Sequence, residues 1–141
     1  MPYINDKFFR FESFSDLQGA KHFKNLIAVC KKNKSTIFTL WTKAGSLIYK
    51  YMQAENIKKL PNNLNIVLSE FYINKTKYTA DDLQQLQKIF NTKNALKVFT
   101  VYDDESKRAA SGQYLCKNKC INCLKCYKKT TKNIFIAEKL H

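Results

Sequence analysis

The chain has little of what bends or punctuates a backbone: three glycines and two prolines in 141 residues. Gly19, Gly45 and Gly112 stand far apart, which argues against the glycine-rich phosphate cradles of mononucleotide and dinucleotide sites. Histidine is as scarce as proline, with only His22 and the terminal His141, and no nucleophile is visibly paired with a base, as covalent or general-base catalysis would require. Also missing is any apolar run of about eighteen residues that could span a bilayer, and the N-terminus "MPYINDKFFRF" has no signal-peptide core. A soluble, cytoplasmic protein with no membrane association is expected.

Acidic residues are in deficit, 11 against 25 lysines and arginines, for a formal charge of +14. That exceeds what solubility demands and points to an acidic partner, either nucleic acid or an acidic protein. The lysines are nevertheless dispersed (Lys31, Lys32, Lys34, Lys58, Lys59, Lys75, Lys77 and the run through Lys132), and the lysine, asparagine and isoleucine bias matches an AT-rich genome. A solvated basic surface is the plain alternative.

What is present is a globular composition, 45% hydrophobic and 13% aromatic, in a length suited to one domain over residues 1–141. Residues 7–14, "KFFRFESF", read as a strand. Ser15 and Gln18 have capping-box spacing ahead of Leu17, Ala20, Phe23, Ile27 and Cys30 at helical intervals. "STIFTLWT" (35–42) reads as a strand covered on both faces, "AGSLIYKYMQAEN" as a helix, and "NLNIVLSEFYI" (63–73) as a third strand. A helix over 79–91 capped by Thr79, a fourth strand over 95–104, a polar turn "ESKRAASG" and a short final strand complete the pattern. The alternation predicts an α/β domain with a mainly parallel sheet of four to five strands and helical crossovers. Ligands of such sheets lie beyond the C-terminal strand ends, which places Arg10, Asp16, Lys43, Ser69 and Glu70 around a candidate pocket.

Four of the five cysteines fall within "CKNKCINCLKC", inside a cysteine-rich segment spanning 114–129. Cytosolic thiols are normally reduced, and disulfides this close would close only tiny loops. The intervening Lys117, Asn118, Lys119, Asn122 and Lys125 are unsuited to burial, so the cysteines are not simple core residues. Cys116, Cys120, Cys123 and Cys126 are therefore candidate metal ligands, with lysines offsetting the charge of a tetrathiolate. Four-cysteine zinc sites usually join two short clips across a long connection, which is missing here. The tight run from Cys120 resembles a ferredoxin ligand loop, which favours a 4Fe-4S iron-sulfur cluster over zinc. Cys30, alone on the apolar face of the first helix, is expected to pack in the core.

The order of "RFESFSD" (10–16), "TK" (Thr42, Lys43), "PNNLNIVLS" (61–69), "CKNKCINCLKCY" (116–127) and the final His141 resembles the phage "gene product eighty-eight" family over nearly the whole chain. Glu12, Phe14 and Ser15 depart from that family's first motif, while Arg10, Phe11 and Asp16 match it. The resemblance implies a phage origin, a cysteine-bound metal and a half-barrel distantly like that of radical-SAM proteins, in a short member or C-terminal part whose missing N-terminal region a partner chain would supply. Cys116, Cys120 and Cys123 have radical-SAM spacing, but Asn122 stands where that motif carries an aromatic. The expected function is a non-catalytic metal-binding accessory protein with a basic docking surface; the alternative is an iron-sulfur enzyme using the strand-end residues.

Overall fold

The computed structural model describes residues 2–11, 16–92, 96–116, 123–127 and 134–140. These contain strands β1 (Phe8–Phe11), β2 (Ile37–Thr42), β3 (Leu64–Ser69), β4 (Lys97–Tyr102), β5 (Tyr114–Leu115) and β6 (Ile134–Lys139), with helices α1 (Ala20–Lys32), α2 (Gly45–Ala54), α3 (Ala80–Ile89) and α4 (Glu105–Ala110). The strands form one sheet in the order β1-β2-β3-β4-β6-β5, and every pairing is parallel. The expected α/β class and parallel sheet are present; the sheet has six strands rather than four or five.

Side chains alternate between the two faces of a strand, and the faces here differ. Phe9, Phe11, Phe38, Leu40, Leu64, Ile66, Leu68 and Val98 join Phe23, Ile27 and Cys30 of α1, Ile48 and Met52 of α2 and Leu83 of α3 in one apolar core. This is the helix face. The opposite face carries a smaller cluster, Val67, Phe99 and Ile136, packed with Trp41, Val101, Tyr114, Cys116 and Cys126. Because cysteines rather than helices cover it, we call it the cysteine face.

Several element boundaries move for identifiable reasons. The first helix starts at Ala20, not near Ser15, because Gly19 has φ 152°, a conformation essentially reserved for glycine that a helix cannot traverse; Ser15 lies outside the described residues. The third strand stops at Ser69 because the Glu70 carboxylate accepts the backbone N–H groups of Lys77 and Tyr78 at 2.7 and 2.9 Å. This curls residues 70–78 into a loop that leaves Phe71, Tyr72 and Ile73 exposed. The polar turn "ESKRAASG" is instead helix α4, started by the Asp104 side chain accepting the Lys107 N–H. The cap on α3 is as expected: Thr79 and Asp82 form a capping box, and those bonds to Thr79 hold the Asp82 carboxyl below its ordinary pKa.

Candidate functional site

Register decides which polar side chains share the cysteine face. Arg10 pairs with Thr39, Thr39 with Asn65, Trp41 with Val67, and Val67 with Lys97. Each of the first four strands thus sends at least one polar or amphipathic residue to the same side. The Arg10 guanidinium lies 4.0 Å from the centre of the Trp41 ring, and Trp41 meets Phe99 edge-on at 4.4 Å.

Residues 123–127 lie across this face. Thr39 donates from Oγ1 to the Cys126 carbonyl at 3.0 Å, Asn65 donates from Nδ2 to the Tyr127 carbonyl at 3.0 Å, and the Tyr127 ring packs edge-on against Phe8. Cys116 follows β5, its N–H bonded to the Ala137 carbonyl at 2.8 Å. Arg108 of α4 donates to the Cys116 carbonyl at 2.9 Å while paired with Glu105. The Tyr114 hydroxyl stands 3.2 Å from the Cys123 sulfur. That hydrogen bond, with lesser contributions from burial and from the charges of Cys123, Cys116 and Cys126, pushes the Tyr114 phenol above its ordinary pKa. Tyr114 thus lies against Cys123 through its hydroxyl and shares an apolar cluster with Cys116 and Cys126. Cys120 lies outside the described residues, and among the described residues no group of three or more Cys, His, Asp or Glu stands close enough to hold an ion.

Lys97 was not singled out by sequence reasoning. Its side chain is wholly buried, and among the described residues its Nζ has no hydrogen-bond partner. Burial pulls its pKa down to about 8, partly opposed by attraction to Cys126. The signal was present in the strands themselves: "FFRF", "IFTLWT", "LNIVLS" and "KVFTVY" each carry a polar residue within an apolar run.

The strand-end candidates separate. Asp16 and Lys43 come together, since Asp16 Oδ2 accepts the Lys43 N–H at 2.8 Å while Oδ1 accepts the Thr42 hydroxyl at 2.5 Å and the Leu17 N–H at 2.7 Å. This ties the start of α1 to the end of β2. Arg10 is stacked on Trp41, and Ser69 is half-buried beside Phe99 in register. Glu70 is buried in its own loop and lines a different cavity, about 420 Å³, with Tyr78, Asp82 and Leu86 of the α3 region. Burial first, then the charges of Glu70 and Asp82, raise the Tyr78 pKa there.

The basic residues also have a place. Lys24, Lys31, Lys58 and Lys59 line a groove of about 670 Å³ between α1 and the segment leading to β3. Lys24 is paired with Glu55 at 3.2 Å. Among the described residues, no helix is long and apolar enough to cross a membrane.

A parallel α/β sheet with helices on one face and a cysteine-bearing segment folded across the other defines the class of this protein. The model of the family described as Gene product 88 matches residues 3–131, and the chain belongs to that phage family. No curated protein and no solved structure matches it.

Proposed function

We propose that the chain is a non-catalytic metal-binding accessory protein, acting in the host cytoplasm, whose Cys116, Cys120, Cys123 and Cys126 hold an iron-sulfur cluster, with zinc as the alternative metal. The observation that carries this reading is the packing of Cys116 and Cys126 with Tyr114 on the cysteine face, where the Tyr114 hydroxyl also stands 3.2 Å from the Cys123 sulfur. What supports it is chemical: soft thiol ligands from Cys116, Cys123 and Cys126 share one face, with the Tyr114 hydroxyl beside the Cys123 sulfur, although these described thiols do not by themselves close around an ion. An iron-sulfur cluster would supply electron transfer there, and zinc a structural staple. The basic groove of Lys31, Lys58 and Lys59 supports docking of nucleic acid or an acidic protein, with phosphate contacts that weaken as salt rises.

The competing reading, an iron-sulfur enzyme with a radical-SAM-like half-barrel, needs strand-end residues available to a substrate. Both oxygens of Asp16 are engaged in the loop clamp, and Glu70 is engaged in its own loop. That favours the accessory role. Anaerobic purification followed by iron, sulfide and zinc analysis and a visible spectrum tests the proposal. Iron with sulfide and a broad visible band, lost in Cys123→Ser or Cys126→Ser, is expected. Metal-free protein after growth with iron and zinc supplied would overturn it.

A further inference from the structure

Among the described residues, the cysteine face holds a concentration of buried polar atoms with no hydrogen-bond partner: Arg10 Nε, Trp41 Nε1, Asn65 Oδ1 and Lys97 Nζ. They come from four adjacent strands, β1 to β4. Trp41, Val67 and Lys97 stand in one register row, Asn65 precedes Val67 by one pleat on the same face, and the Arg10 guanidinium lies over the Trp41 ring. The cysteine segment engages Asn65 only through its Nδ2, leaving Oδ1 without a partner. A buried polar atom left unpaired costs about 1–3 kcal/mol, and a charged one more. Four such atoms on one face are better explained by a missing partner than by chance, since the helix face has an apolar core.

Their chemistry specifies that partner. Arginine, lysine and the indole N–H are donors only, two of them cationic, whereas the Asn65 oxygen is an acceptor. We propose that the cysteine face binds a small molecule that places an anionic group, carboxylate or phosphate, against Arg10, Trp41 and Lys97, and donates a hydroxyl or amino hydrogen to Asn65. None of its four side chains is a cysteine, but Lys97 also feels the attraction of Cys126, so the test below separates an anion site from a counter-charge to the cysteines.

Trp41 is the sole tryptophan, so its fluorescence reports the site directly. The full chain, purified anaerobically, is titrated with inorganic phosphate and separately with malate, at ionic strength held constant with chloride. A saturable change is expected with at least one of them, and the arm that responds distinguishes phosphate from carboxylate. Affinity should fall at least about tenfold in Lys97→Met and in Arg10→Gln, as for loss of a buried charged contact, but not in Lys58→Gln in the distant groove. Thermal melts with and without the anion provide a second readout, since a ligand of the folded state raises the melting temperature; should one variant fail to fold, the other carries the test. No saturable response to either anion, or an equal response in wild type and both site variants, would overturn the proposal. So would a loss of bound metal in Lys97→Met without any anion response in wild type, which would make Lys97 the counter-charge of the cysteine centre.

Discussion

The two faces of the sheet are made from the same six strands and obey opposite rules. On the helix face, apolar side chains from β1 to β4 meet α1, α2 and α3, and Phe23, Phe38, Leu40, Ile48 and Leu83 are completely buried. On the cysteine face the apolar cluster is small, and around it lie Arg10, Asn65, Lys97 and three cysteines. A face built for stability saturates its contacts; a face that leaves buried donors without partners costs stability and is kept for something it binds. The helix face is thus the main core, and the cysteine face is where the proposals above place binding.

The largest expected effect tests the first half of that assignment. Phe38 is fully buried and stacked on Phe11 with ring centres 5.1 Å apart. Phe38→Ala should cost about 3–5 kcal/mol of unfolding free energy in urea denaturation, the usual range for a buried aromatic. A loss below about 1 kcal/mol would mean the helix face is not the principal core.

Next comes the edge clamp. Asp16→Ala removes three hydrogen bonds to the carboxylate and should destabilise by about 2–3 kcal/mol, on the scale of hydrogen bonds to a charged group. Metal content should be unchanged, because the clamp belongs to the scaffold. Loss of metal with stability preserved would return Asp16 to the functional site.

A smaller effect separates the buried cysteine from the others. Cys30 lies in the helix-face core, and burial pushes its pKa from 9.0 to about 12. Between those values the unfolded chain releases the thiol proton and the folded chain retains it. The contribution to stability is therefore intact below pH 9 and is lost as pH rises toward 12. The fall of melting temperature between pH 9 and 11 should be shallower in Cys30→Ala than in wild type. Peptide mapping after brief iodoacetamide treatment at pH 8.5 should find Cys30 unmodified when thiols of the metal-stripped cysteine segment have reacted.

The smallest change is expected at Lys97. Without ligand, its buried Nζ makes no hydrogen bond and the attraction to Cys126 only partly offsets its burial, so Lys97→Met should leave the melting temperature unchanged or raise it. A fall as large as that caused by Phe38→Ala would erase the difference between the faces.

The same contrast explains what could be read in the sequence. Helix-face elements were legible because their signals are local: apolar residues at helical intervals in α1, the Thr79 cap of α3 and the β-branched and aromatic runs of β2 and β3. Helix α4 was missed because its six residues bury no apolar stripe, and the end of β3 because the loop is held by Glu70 through Lys77 and Tyr78, seven and eight residues away. The candidate site was half legible. Cysteine spacing singled out the segment, but its placement across the sheet depends on Thr39 and Asn65, which lie 87 and 62 residues from their partners. Arg10 and Asp16, neighbours in the quoted motif, part company: one side chain stacks on Trp41 and the other clamps a loop.

The central claim, that the cysteines of this face bind metal, is tested most directly by X-ray absorption at the edge of whichever metal co-purifies with the intact chain. A first shell made of sulfur alone, at about 2.3 Å as for cysteine thiolates, and abolished in the Cys126→Ser variant, is the predicted result. A shell of nitrogen and oxygen, or a sulfur shell that survives replacement of Cys116, Cys123 and Cys126 together, would contradict it.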